Sequence, residues 1–201
     1  MSTGVKSIFE AEATAVRNIP SDQDFDGVVD LIYGKVHKNG GKVIASGMGK
    51  AGQVANNIAT TFSSTGTPAV FLHPSEAQHG DLGMIGPNDV LVVLSNSGKT
   101  REIIELVALV RHLYKQLPVV LITGNSSGEL VGQAEYSLFT GSPAEVCPLG
   151  LTPTTSTTVM MVMGDALTVL MMDRIGFTAG DYALRHHGGY LGEKSRNNVR
   201  K

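Results

Sequence analysis

The chain has 201 residues, a formal net charge of −2, 42% hydrophobic and 17% charged residues. That balance suits one globular domain over 1–201 and leaves no broad basic surface for nucleic acid; the basic stretch 194–201 is short and reads as a solvated end. The single cysteine, Cys147, excludes an intramolecular disulfide. With no signal-peptide core and no run approaching roughly 18 uninterrupted apolar residues, a soluble cytoplasmic protein with no membrane partner is expected.

In chain order, residues 5–19 and 25–38 read as helices, the second with Phe25, Val28, Val29, Ile32 and Val36 on one stripe. Lys42–Ser46 reads as a strand, 51–64 as a helix and Ala69–Leu72 as a second strand, followed by a loop over His73–Gly83. A strand over 89–94, a helix over 100–115, a strand over Pro118–Thr123, a short helix near 127–133 and a strand over Tyr136–Phe139 come next. After the turn-prone Pro143–Pro153, residues 156–174 form a long Thr- and Met-rich helix. Alternating strands and helices predict a three-layer α/β/α sandwich around a parallel sheet of about five strands. In such sheets ligands sit beyond the carboxyl ends of the strands.

The third strand runs directly into Ser95-Asn96-Ser97-Gly98-Lys99-Thr100, ahead of a helix. Free N–H groups and the helix dipole attract an anion there, and Ser95, Ser97 and Thr100 add hydroxyls. A small phosphate monoester fits this loop, though Ser and Thr also serve as ordinary N-caps. After the first strand, Gly47-Met48-Gly49-Lys50-Ala51-Gly52 satisfies G-x-G-x-x-G. No Asp or Glu occurs between Lys50 and Glu76, however, so the acid a dinucleotide ribose requires is missing. The glycines are expected to clear space for a compact ligand, with Ser46 and Lys50 pointing at it.

Three further clusters carry acid–base groups. In His73-Pro74-Ser75-Glu76-Ala77-Gln78-His79, the histidine spacing matches no common zinc pattern. His73 is expected as a structural cap and His79 as an acid–base or hydroxyl-orienting group. Glu145, beside an apolar and proline-flanked turn, is a candidate base whose basicity desolvation would raise, or else a surface carboxylate. Cys147 reads as a packed small residue. His186-His187-Gly188-Gly189 enters the cleft only if the chain end folds back or meets a neighbouring subunit; otherwise the pair is fortuitous.

Together with Gly80-Asp81-Leu82-Gly83, Glu145-Val146-Cys147-Pro148-Leu149-Gly150 and Met163-Gly164-Asp165-Ala166-Leu167, these segments resemble the sugar isomerase (SIS) domain of bacterial D-arabinose 5-phosphate isomerases over about residues 5–192. The resemblance implies a homotetramer with active sites at subunit contacts. It also implies interconversion of D-ribulose 5-phosphate and D-arabinose 5-phosphate, supplying 3-deoxy-octulosonate (Kdo) for lipopolysaccharide or capsule. Carried over by position, the catalytic set is Lys50, His79, Glu102, Glu145 and His186, and the phosphate loop is Ser95–Thr100; with Ser46 and Gly47 from the first strand end, Ser95, Asn96, Ser97, Gly98 and Thr100 are expected to bind phosphate and sugar. No cofactor or metal is required, although Zn²⁺ held by His79, Glu145 and His186 would inhibit. This chain departs from the family at Lys99, where an acid is usual, and at His187, where a proline is usual. It is read as a stand-alone form without cystathionine-β-synthase-type modules. A heptose- or hexulose-phosphate isomerase, or a non-catalytic phosphosugar sensor, remains an alternative.

Overall fold

The computed structural model describes residues 4–190, 192, 194 and 195, so most of the basic end lies outside the described residues. Two helices, α1 (Val5–Arg17) and α2 (Phe25–Ile32), open the chain, α2 running on into a π-helical turn over Tyr33–Lys38. They are followed by β1 (Val43–Gly47), α3 (Gly49–Ser64), β2 (Ala69–Phe71) and the short α4 (Pro74–Ala77). Then come β3 (Val90–Leu94), α5 (Arg101–Leu113), β4 (Val119–Thr123), β5 (Tyr136–Phe139), α6 (Thr155–Arg174) and α7 (Ala179–Arg185). The segment His73–Gly83, read as loop, contains α4 and leads into a 3₁₀ turn over Asp81–Met84. The short helix near 127–133 is a 3₁₀ turn over Glu129–Gln133, and α7 had no counterpart among the expected elements.

All five strands pair in parallel, in the order β2-β1-β3-β4-β5. Every residue of β1, β3 and β4 is buried, as their largely apolar sequences require when both faces of a sheet are covered. On one face Val43, Ala45, Val90, Val92, Leu94, Val120 and Ile122 pack against α2, α3 and α6. On the other Ile44, Leu91, Val93, Val119 and Leu121 meet α5 and the α4 region. This is the expected five-stranded α/β/α sandwich. By length and composition α6 could cross a membrane, but half of its apolar window is buried inside the fold. Met160, Met163, Leu167 and Met171 join the core, which marks α6 as a core helix.

The order of strands reverses between β1 and β3, and their register pairs Gly47 with Leu94. The loops that leave those two strands therefore diverge from a shared point, where a crevice opens.

Candidate active site

The crevice is a cleft of about 290 Å³. Met48, Lys50 and Ala51 line it from the start of α3, Ser95, Asn96, Ser97 and Thr100 from the loop before α5, and Glu145, Leu151 and Pro153 from the loop before α6. Ser156, Thr157 and Met160 of α6 complete the wall. Three helix N-termini thus converge on one small volume, and their positive dipole ends favour an anion. Like that of α3, the α5 end has no side-chain cap. Thr100 is its N-cap but makes no capping bond; its hydroxyl lies 2.7 Å from Ser95 Oγ instead. No side chain caps the first turn of α5; Ile103 N donates to Thr100 O at 3.1 Å, and an end of this kind favours an anion.

The α6 end is already taken. Glu145 Oε2 accepts from Thr154 N at 2.7 Å, Thr154 Oγ1 at 3.0 Å and Ser156 N at 3.2 Å. Burial raises the Glu145 pKa, but hydrogen bonds from Ser156 and Thr154 outweigh it, and the net displacement is downward. This corrects the expectation that desolvation would raise its basicity: a helix N-terminus solvates the carboxylate in place of water. All three bonds fall on Oε2, and Oε1 shares in none of them. Cys147 also departs from expectation. It is half-buried, and its sulfur accepts from Thr152 N at 3.1 Å and Leu151 N at 3.2 Å. Those donors, Thr152 first, lower its pKa to about 7, so it is a polar organiser of the turn rather than apolar packing.

Several expected site residues have structural work elsewhere. Ser46 is fully buried and donates to Leu72 O at 2.7 Å, tying β1 to the end of β2 rather than pointing at a ligand. Gly47 and Gly52 clear space for each other: a side chain on either would strike the other's stretch of backbone where β1 meets α3. Gly98, at φ +62°, approaches not the cleft but Gly128, whose Cα would lie 3.0 Å from a Cβ. His73 is the expected cap, its Nδ1 accepting from Ser75 N at the start of α4. His79 is exposed beyond α4, and half-buried Glu102 sits in the first turn of α5; neither lines the cleft.

His186 terminates α7 with its ring stacked on Tyr182 at 3.7 Å and its Nδ1 3.0 Å from Tyr182 O. The cleft lies at the N-terminal end of α6, α7 starts after its C-terminal end, and the helix spans about 30 Å. The chain therefore does not bring His186 into its own cleft. Among the described residues no three His, Cys, Asp or Glu side chains gather closely enough to hold a metal ion, so His79, Glu145 and His186 form no Zn²⁺ site within one chain.

Residues 36–170 match the model of the SIS domain. The chain belongs to the SIS domain family. It is 43% identical over 189 residues to arabinose 5-phosphate isomerase KdsD of Salmonella typhi, covering 94% of this chain and 56% of that protein. The SIS chain thus spans about half the length of the curated relatives it matches. A Bacteroides fragilis structure assigned as a phosphosugar isomerase involved in capsule formation is 55% identical, with a TM-score of 0.91 over 92% of this chain and 97% of that one. An Escherichia coli CFT073 protein solved in complex with arabinose 5-phosphate is 34% identical, with a TM-score of 0.81 over 90% and 95%.

One part of this SIS site was not foreseen: the loop after β4. Gly124 N donates to Asn96 O at 3.1 Å, Asn125 Nδ2 to Ser97 O at 2.8 Å and Leu130 N to Gly98 O at 3.1 Å. These bonds hold the backbone of the Ser95–Thr100 loop from behind. The only signal in the sequence is the turn-prone Gly124-Asn125-Ser126-Ser127-Gly128, which does not reveal what it packs against.

Proposed function

We propose that this SIS domain is an aldose–ketose isomerase that interconverts D-ribulose 5-phosphate and D-arabinose 5-phosphate through a cis-enediol. One observation carries the reading: a single cleft joins an uncapped helix N-terminus bearing Ser95, Ser97 and Thr100 to Lys50 and the carboxylate of Glu145. The likeness to arabinose 5-phosphate isomerases and to a protein holding arabinose 5-phosphate supports the choice of substrate.

The phosphate sits in the Ser95–Thr100 cradle, with Asn96 facing the sugar. Glu145, ionised at neutral pH, takes a proton from C1 or C2 through Oε1 and returns it to the neighbouring carbon. Positioned acid–base groups of this kind contribute about 10²–10⁴-fold. The Lys50 ammonium stabilises the enediolate oxygen, where negative charge develops. In a homotetramer, a neighbouring subunit supplies His186 and His79 to the cleft, the former opening the cyclic substrate, while Glu102 orients a partner. Zn²⁺ would inhibit through His79, Glu145 and His186 only in that assembly. The reaction needs no cofactor, runs in the cytoplasm, and its product feeds Kdo for lipopolysaccharide or capsule.

The test is to incubate the purified protein separately with ribulose 5-phosphate and with hexulose and heptose phosphates. The reading expects arabinose 5-phosphate from the first and far slower turnover of the others. Binding without turnover would mark a sensor instead.

A further inference from the structure

Glu12 lies on α1, outside the cleft, yet it is connected to Glu145 through one side chain. Thr155, fully buried in the first turn of α6, donates from Oγ1 to Glu12 Oε1 at 2.9 Å. The same oxygen accepts from the N–H of Val146, the residue after Glu145, at 3.1 Å. The polarity of this relay is fixed at both ends. An amide can only donate and a carboxylate only accept, so the single hydroxyl proton of Thr155 must point at Glu12. Glu12 Oε2 is buried and has no hydrogen-bond partner among the described residues. Leaving a carboxylate oxygen so is unfavourable, and a surface helix could avoid it with an alanine. The α1 face beside Glu12 also shares a groove with Pro143, Ala144 and Thr155, the approach to the Glu145 loop.

We propose that Glu12 is a positioning residue for the isomerisation: through Thr155 it fixes the Val146 amide and thereby seats Glu145 on the N-terminus of α6. This rests on the proposed role of Glu145 as base. The phosphate cradle is built on α5 and the loop after β4, which Glu12 does not touch, so substrate affinity is independent of it.

The experiment compares the parent protein with Glu12→Ala and Glu12→Gln in two readouts. In steady-state isomerisation of ribulose 5-phosphate, Glu12→Ala should lower kcat by about 10- to 100-fold, the scale of a misplaced catalytic group, with KM within about twofold. Glu12→Gln, whose amide oxygen still accepts from Thr155, should recover most of that loss. In amide hydrogen exchange, Glu12→Ala should accelerate deuterium uptake in the 143–156 segment but not in 95–101, and Glu12→Gln should not. Unchanged kcat in Glu12→Ala, an equal loss in Glu12→Gln, or a matching rise in KM would overturn the proposal. An inactive parent protein would defeat the isomerase reading alone. Exchange would then still decide the relay: unaltered uptake at 143–156 in Glu12→Ala removes it, and a selective increase upholds it.

Discussion

Glu145 and the Ser95–Thr100 hydroxyls bind charge by opposite strategies. The carboxylate is itself the anion that α6 receives, whereas the cradle leaves α5 open for an anion from solution. Ser95 Oγ and Thr100 Oγ1 already share a hydrogen bond of 2.7 Å, and Ser97 Oγ accepts from Lys99 N at 3.2 Å, so these hydroxyls are oriented before ligand arrives. Replacing Ser97 and Thr100 together by alanine removes two hydroxyls from the proposed phosphate site. Hydrogen bonds to a charged group contribute about 1.5–3 kcal/mol each, so KM for ribulose 5-phosphate should rise at least about tenfold. The melting temperature should stay near that of the parent. An unchanged KM would place phosphate elsewhere. At this scale the sequence revealed which residue types were present but not their surroundings. Nothing in Glu145-Val146-Cys147 tells that Thr154 and Ser156 would solvate the carboxylate, or that Leu151 and Thr152 would do the same for the thiol. Those partners are set by how a turn closes on a helix end.

Elements were legible in proportion to how far burial dictates their pattern. The apolar runs of β1, β3 and β4 announce strands covered on both faces, and each formed where expected. α4 was hidden because it is only four residues long and depends on His73 as cap and Pro74 at its first turn. α7 was missed for a similar reason: its start is fixed by a reciprocal capping box between Thr178 and Asp181, not by a long apolar stripe. The contact of α3 with α6 offers a test at this scale. Gly164 on α6 lies under Ile58, and a Cβ there would collide with the branched part of that fully buried side chain. Gly164→Ala should therefore destabilise the fold by about 1–3 kcal/mol despite alanine's better helix propensity. A urea midpoint equal to or above the parent's would show that the two helices can spread at no cost.

For the whole molecule, the apolar surface is unevenly placed. Phe9 is 68% and Val5 65% exposed on α1, Val169 63% on α6 and Leu184 71% on α7. A groove between α1, α2 and α6, lined by Val16, Ile19, Phe25, Val162 and Leu170, runs beside them. On α6 itself Met160, Met163 and Met171 are core. A homotetramer would cover the remainder and would supply the missing histidines to each cleft. Sedimentation at micromolar concentration should accordingly give a tetramer, whereas a monomer would leave His186 without a catalytic role.

The central claim is that Glu145 moves the proton between C1 and C2. Glu145→Gln keeps the size of the side chain and an oxygen for Thr154 and Ser156 but removes the basic carboxylate. The deciding measurement is deuterium incorporation from solvent into C1 of ribulose 5-phosphate, followed alongside kcat in the parent and in Glu145→Gln. The expected result is that kcat falls by about 10²–10⁴-fold with little change in KM, and that exchange disappears with it. Exchange at near the parent rate in Glu145→Gln would contradict the claim and pass the role of base to another residue.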